Sequence, residues 1–65
     1  DYKFLEVEDF LKKAYDMFKT IEFQNGIMAT ALEFSRLYLK HNEHDKAKQY
    51  GLEALKVSDE VSKRI

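Results

Sequence analysis

Apolar residues recur at steps of three and four along almost the whole chain, and this pattern is interrupted at only two places. Such spacing indicates amphipathic α-helices, because a turn of 3.6 residues brings these positions onto one face. The interruptions are Gln24-Asn25-Gly26 and His41-Asn42-Glu43-His44. The sequence therefore predicts an all-α fold of three helices, at about residues 2–23, 26–41 and 44–63. The short connections predict that neighbouring helices are antiparallel.

Three local features refine this prediction. Asn25-Gly26 supplies a break and a plausible N-cap for the second helix. Asn42 is expected to end that helix in the left-handed conformation. Gly51 lies inside the third helix at a cost of about 1 kcal/mol relative to alanine, which predicts a closely approaching backbone there. The first helix is expected to bury one continuous stripe, formed by Val7, Phe10, Leu11, Ala14, Met17, Phe18 and Ile21.

Composition excludes several classes of function. The chain has 11 Lys+Arg against 12 Asp+Glu, so it offers no basic surface for nucleic acid or an anionic membrane. It has no cysteine, and hence no disulfide framework or thiolate zinc site. No apolar run approaches the roughly 18 residues of a membrane span. We therefore expect no nucleic-acid partner, no membrane partner and no cofactor.

The length of the chain predicts that it does not act alone. A domain of about 60 residues buries only ~60% of its unfolded surface and is marginally stable. The chain also begins at Asp1 rather than methionine, which suggests a fragment of a longer protein or a chain that associates. Apolar residues outside the main stripes are expected to be covered by neighbouring repeats, by a capping helix or by a second copy. These residues are Phe4, Tyr15, Phe23, Leu39, Leu52 and Ile65.

An internal repeat emerges when the chain is compared with itself at an offset of 40 residues. The offset pairs Val7 with Ala47, Phe10 with Tyr50, Ala14 with Ala54, Met17 with Val57 and Ile21 with Val61. The shared property is the spacing of apolar and small positions, since only the alanine pair is identical. The first and third helices are therefore interpreted as the same element of successive repeats.

Residues 31–54 resemble a tetratricopeptide repeat, whose signature is a helix pair with a fixed order of large and small residues. The first helix of the repeat carries Ala31, Phe34, Ser35 and Tyr38, and the second carries Ala47, Gly51 and Ala54. The run from Asn42 to Ala47 resembles the Gly-Asp-x-x-Lys-Ala turn of the family. The run from Gln24 to Ala29 resembles the connector between repeats in bacterial signalling proteins of this family. By the 40-residue offset, Val7, Leu11 and Ala14 belong to the second helix of a preceding repeat.

This resemblance implies an α-solenoid in which residues 1–65 form one module. Residues 1–25 would be the second helix of a preceding repeat and residues 26–65 one full repeat. The implied role is non-catalytic binding of a protein or peptide, within a larger cytoplasmic regulatory or signalling protein of bacterial type. The concave face of such an array is lined by the first helix of each repeat. In this chain that face consists of Ala29, Leu32, Arg36, Leu39 and Lys40.

Other functions remain open. A self-associating structural module would bury the exposed apolar faces against each other. A helix-turn-helix domain could present Lys46, Lys48, Gln49 and Lys56 to DNA, although acids are interleaved among these lysines. His41 and His44 are three residues apart but straddle a helix break, so a polar turn is expected there, with His44 packing on the helical hairpin. No nucleophile lies beside an evident base, so no enzyme is predicted.

Overall fold

A computed structural model describes residues 2–63 of the chain. Helix α1 spans Tyr2–Thr20, α2 spans Gln24–Lys40 and α3 spans His44–Lys63, with no strand in the described range. The prediction of an all-α fold with three helices is therefore confirmed. Phe18 lies against Gly26, and Phe4 packs near Tyr38, so α1 and α2 run antiparallel.

The connection between α1 and α2 differs from the prediction. It lies at residues 21–23, and the Asn25-Gly26 pair is inside α2 rather than at its N-cap. Glu22 adopts the left-handed conformation, with φ of 56°. The N–H of Phe23 donates to the carbonyl of Phe18 at 2.9 Å, and the two rings meet edge to face at 5.5 Å. This hydrogen bond and its apolar contact form a Schellman motif, which ends α1 without a glycine.

The connection between α2 and α3 repeats the same motif 20 residues later. Asn42 has φ of 62°, as predicted, and the N–H of Glu43 donates to the carbonyl of Tyr38 at 2.8 Å. Asparagine tolerates this conformation better than most residues, because its short polar side chain can bond locally. Two turns of one geometry therefore connect three helices in sequence.

The three helices form a thin layer with α2 in the middle. The Cα atoms extend over 42 × 22 × 11 Å, and the backbone of α2 contacts both α1 and α3. The outer helices meet through side chains on one side of α2, where the rings of Tyr15 and Tyr50 lie 6.3 Å apart. The opposite side of α2 is left open.

An aromatic cluster holds the layer together. Phe34 of α2 is 1% exposed, and its ring stacks on Tyr50 at 4.6 Å and on Tyr38 at 5.9 Å. Tyr15 contributes an edge contact to Phe34 at 6.0 Å from α1. Burial of these rings stabilises the layer, since each aromatic side chain can bury roughly 150–250 Å².

Hydrogen bonds from tyrosines tie α1 to the other two helices. The Tyr38 hydroxyl donates to Glu8 at 2.5 Å, and the Tyr15 hydroxyl donates to Glu53 of α3. Burial, followed by the hydrogen bond to the carboxylate, raises the pKa of both tyrosines above its ordinary value. Between α2 and α3, the Ser35 hydroxyl donates to the carbonyl of Ala47 at 3.0 Å.

Only part of the stripe predicted for α1 is buried. Leu11 is buried, and Ala14 and Phe18 are half-buried, on the side that faces α2. The residues Val7, Phe10, Met17 and Ile21 are exposed, so the prediction that they belong to the core is wrong. The helix turns Phe4 and Tyr15 toward α2 instead, and both pack against the core cluster.

Candidate protein-interaction surface

The exposed part of α1 and its turn forms a continuous apolar surface, here called the α1 stripe. It consists of Val7, Phe10, Ala14, Met17 and Ile21, spaced by three and four residues. The four large side chains are between 44% and 71% exposed, and Phe10 is the most exposed. At 1.5 Å per residue the stripe is about 20 Å long. Exposed apolar surfaces of this kind are typical of interaction sites, which makes the α1 stripe the candidate site.

The residues of the α1 stripe correspond, in the repeat pattern, to residues that α3 buries against α2. At the 40-residue offset its counterparts on α3 are Ala47, Tyr50, Ala54, Val57 and Val61. Ala47, Ala54 and Val57 are at most 7% exposed, and Tyr50 and Val61 are half-buried. The two outer helices therefore carry one pattern, which is covered on α3 and open on α1.

Charged side chains of both signs flank the α1 stripe on the edge away from α2. Glu6 and Lys13 lie three or four residues from members of the stripe, and both are exposed. Asp9 pairs with Lys13 at 3.2 Å, whereas Glu6 and Asp16 form no ion pair with any residue in 2–63. The counterparts of Glu6 and Lys13 on α3 are Lys46 and Glu53, so the two signs are exchanged between the two helices.

The face predicted from the family resemblance lies together on the open side of α2. All five of its side chains are exposed on that side, and they are Ala29, Leu32, Arg36, Leu39 and Lys40. Arg36 pairs with Glu33 one turn earlier at 3.3 Å. The face is thus a mixed surface of two leucines and two cations.

The residues predicted to pack between repeats fall into three groups. Leu11, Ala31, Phe34, Tyr38, Ala47 and Ala54 are buried; Ala14, Ser35 and Gly51 are half-buried; Val7 is exposed. Gly51 does not mark a close backbone approach, because a Cβ there would meet only the Ser35 hydroxyl at an ordinary 3.5 Å. The tight approach is at Gly26, where a Cβ would lie 2.6 Å from the Phe18 ring.

Helix α1 has two distinct apolar faces, which the prediction from sequence did not distinguish. One face, with Phe4, Leu11, Tyr15 and Phe18, packs on α2, and the α1 stripe is the other. If the stripe formed the core, Phe4 and Tyr15 would have to be covered from outside the three helices. That prediction is wrong, because both residues pack against the core cluster. Phe23, Leu39 and Leu52 are exposed as expected, and Ile65 lies outside the described residues.

The polar turn before α3 is built differently from the expectation. His41, rather than His44, packs on the hairpin, with its ring 4.3 Å from that of Phe4, and His44 is exposed. Across residues 2–63 no three His, Asp or Glu side chains converge as metal ligands would. A groove of about 530 Å³ lies where the start of α2 meets α3, lined by Ile27, Leu52 and Val57 among charged side chains.

None of the helices in the described range combines the length and the apolar character needed to cross a bilayer. No family model matches the chain, and no curated protein or solved structure was found to be similar to it.

Proposed function

We propose that this chain is a non-catalytic helical module that binds a protein or peptide partner. The observation that carries the proposal is the α1 stripe, whose four large apolar side chains remain exposed while their counterparts on α3 are covered by α2. Leaving such a surface in water is unfavourable by about 25 cal/mol per Å² of apolar area. Binding of a partner removes this cost.

The resemblance to tetratricopeptide repeats supports the same role. A repeat module of this kind would act within a larger cytoplasmic protein of a bacterial regulatory or signalling system. The open face of α2 offers a second contact area, on which Arg36 and Lys40 could bind acidic side chains. Replacing both with alanine is expected to weaken partner capture if this face takes part.

Photo-crosslinking tests the proposal directly. The photoreactive amino acid p-benzoylphenylalanine is placed at Phe10, and a control chain carries it at Lys12, an exposed position of α1 outside the stripe. Irradiation in the source cell should give an adduct with a different protein from position 10 and none from position 12. Equal labelling from both positions, or no adduct from either, would contradict the proposal.

Self-association is the second candidate, and the α1 stripe favours it as well. Two copies could bury their stripes against each other, with the small Ala14 allowing close approach of the helices. In the same crosslinking experiment this candidate predicts an adduct of twice the chain mass from position 10. Charged side chains at Phe10 and Met17 would then dissolve the assembly and leave the fold intact.

A further inference from the structure

We infer that the α1 stripe binds a second copy of this chain, with the two α1 helices parallel about a two-fold axis. This inference rests on the proposed function, because it names the protein that binds the same surface. It follows from the spacing of the stripe and from the charges that lie on either side of it.

The α1 stripe has the spacing of a coiled-coil seam. Its members follow each other at steps of three, four, three and four residues, in the order Val7, Phe10, Ala14, Met17 and Ile21. Such a seam presents one narrow apolar line to a single facing helix. The first and last members are β-branched and occupy the a positions of the repeat, a choice that favours two parallel helices. Lys3 precedes Val7 at the same spacing and ends the apolar seam, with an ammonium group that can reach water.

The stripe lies on the same side of the layer as the open side of α2. Tyr15 reaches α3 from the other flank of α1, and Ser35 reaches α3 from one flank of α2. By helical spacing, the remaining flank of α2 carries three exposed charged residues, Glu33, Arg36 and Lys40. A helix that covers the stripe therefore runs alongside this charged flank.

Two contacts give the register of α1 against α2. The rings of Phe4 and His41 lie 4.3 Å apart near one end of the pair, and Phe18 lies against Gly26 near the other. The second half of α2 is therefore level with the first half of α1. The stripe residues Val7 and Phe10 lie in that half, beside the charged flank.

The charges of a second copy match this flank. By the same register, Arg36 and Lys40 lie within about one turn of the level of Glu6, and Glu33 lies within about one turn of the level of Lys13. A parallel two-fold axis keeps every residue of the second copy at its own level. The partner's Glu6 thus faces two cations, and the partner's Lys13 faces an acid. Glu6 and Lys40 form no ion pair with any residue in 2–63, so both can pair across the interface.

The antiparallel arrangement lacks this match. Centred on Ala14, it would carry the partner's Glu6 to the level of residue 22, beside the first turn and away from Arg36 and Lys40. Complementary charges fix the register and orientation of an association. The charges on the two sides of the stripe therefore select the parallel pair.

Sedimentation equilibrium tests the association. The mass should rise from one chain toward two between about 10 μM and 1 mM, because a single helix pair is smaller than the interface of a standard stable complex. Phe10→Glu should keep the mass of one chain throughout, whereas Leu52→Glu, a control on α3, should behave as the parent. Both side chains are exposed, so both variants should keep the helical circular dichroism spectrum. A parent that stays at the mass of one chain would overturn the inference.

A charge reversal tests the expected ion pairs. Glu6→Lys sets a lysine against Arg36 and Lys40 and should weaken the dimer about tenfold, the effect of a few exposed ion pairs. Asp16→Lys makes the same change of charge at an exposed position of α1 outside the stripe, and should change the affinity by less than about twofold. Adding Arg36→Glu and Lys40→Glu to the Glu6→Lys chain should restore the affinity. Equal effects of Glu6→Lys and Asp16→Lys would overturn the inference.

Cysteine crosslinking tests the orientation. The sequence has no cysteine, so one introduced thiol reports on one site. Val7→Cys should form a disulfide-linked dimer under mild oxidation, because residue 7 meets the same residue of the second copy. Lys12→Cys, at an exposed position outside the stripe, should not. A disulfide that forms only between a Val7→Cys chain and an Ile21→Cys chain would show antiparallel pairing and contradict the inference.

Failure of this inference is distinguishable from failure of the proposed function. If the chain stays monomeric but Phe10 crosslinks to a different protein in the cell, the stripe binds another partner and only this inference fails. If the crosslink is also absent, the proposed function fails together with it.

Discussion

The backbone of Gly26 lies so close to Phe18 that a Cβ on the glycine would be 2.6 Å from Cγ of the ring. This contact joins the start of α2 to the end of α1. The ring also meets Phe23 at 5.5 Å, so it cannot easily move away. The approach of the end of α1 to the start of α2 therefore depends on the absence of a side chain at Gly26.

The first prediction concerns the two glycines, both of which lie inside helices. Gly26→Ala should lower the free energy of unfolding by about 1–2 kcal/mol, because overpacking outweighs the gain in helix propensity. Gly51→Ala should raise it by up to about 1 kcal/mol, because its Cβ meets Ser35 at an ordinary 3.5 Å. Urea denaturation followed by circular dichroism measures both. Equal effects of the two substitutions would contradict the described approach of α1 to α2.

The second prediction contrasts two phenylalanines. Phe34→Ala removes the ring at the centre of the aromatic cluster and should cost about 3–5 kcal/mol. This is comparable to the whole stability that a core of this size supplies, so the variant should be largely unfolded. Phe10→Ala, at an exposed position, should change stability by only about 0.5 kcal/mol. A large loss for Phe10→Ala would mean that the α1 stripe belongs to the core.

The third prediction concerns the left-handed residues of the two turns. Glu22 has φ of 56°, a conformation that costs a residue with a side chain roughly 1–2 kcal/mol. Glu22→Gly should therefore stabilise the chain by about 0.5–1 kcal/mol after the greater flexibility of glycine is included. Asn42→Gly should give a smaller gain, since asparagine already tolerates this conformation. Thermal unfolding ranks the two, and the reverse order would count against the turn geometry.

The fourth prediction is a loss of stability at alkaline pH. Burial and the hydrogen bond to Glu8 raise the pKa of Tyr38 above its ordinary value of 10.0, and the pKa of Tyr15 shifts in the same direction. The folded chain holds these protons more tightly than the unfolded chain does. Their contribution is complete below pH 10.0 and is lost as the pH rises through the folded-state values. The free energy of unfolding should thus decrease above about pH 10.

Tyr38→Phe provides the control for this pH dependence. It removes the hydroxyl that donates to Glu8, so it should cost about 1 kcal/mol at pH 8. Above pH 10 its stability should decrease less steeply than that of the parent, because one titrating group is gone. Urea denaturation at several pH values compares the two chains. If the free energy of unfolding decreased equally steeply with pH in parent and variant, Tyr38 would not be the group that causes the alkaline loss of stability.

The sequence predicts the number, type and order of the helices well, because helical spacing is a local property. It correctly predicts Asn42 as the left-handed residue of the turn that follows α2, because asparagine tolerates this conformation. The end of α1 is misplaced, because Glu22 has no such preference and is held there by the Phe18–Phe23 contact. That contact forms only after the chain has turned.

Burial on α1 could not be predicted from the sequence for a similar reason. Leu11 and Phe10 are adjacent apolar residues, and spacing alone does not decide which of them faces α2. The choice depends on Tyr15 and Phe4, which turn toward the aromatic cluster of α2 and expose the opposite face. The α1 stripe is therefore recognisable in the sequence as an apolar pattern, but the pattern alone does not distinguish an exposed face from a buried one.

Residues at equivalent positions of the repeat pattern are covered on α3 and exposed on α1. Nuclear magnetic resonance with a soluble paramagnetic gadolinium chelate measures this difference directly, at low and at high protein concentration. We predict strong broadening of the side-chain signals of Phe10 and Met17 and protection of Tyr50 and Val57, their counterparts 40 residues later. Equal protection within both pairs at low concentration would contradict the claim, because the α1 stripe would then already be covered within a single chain.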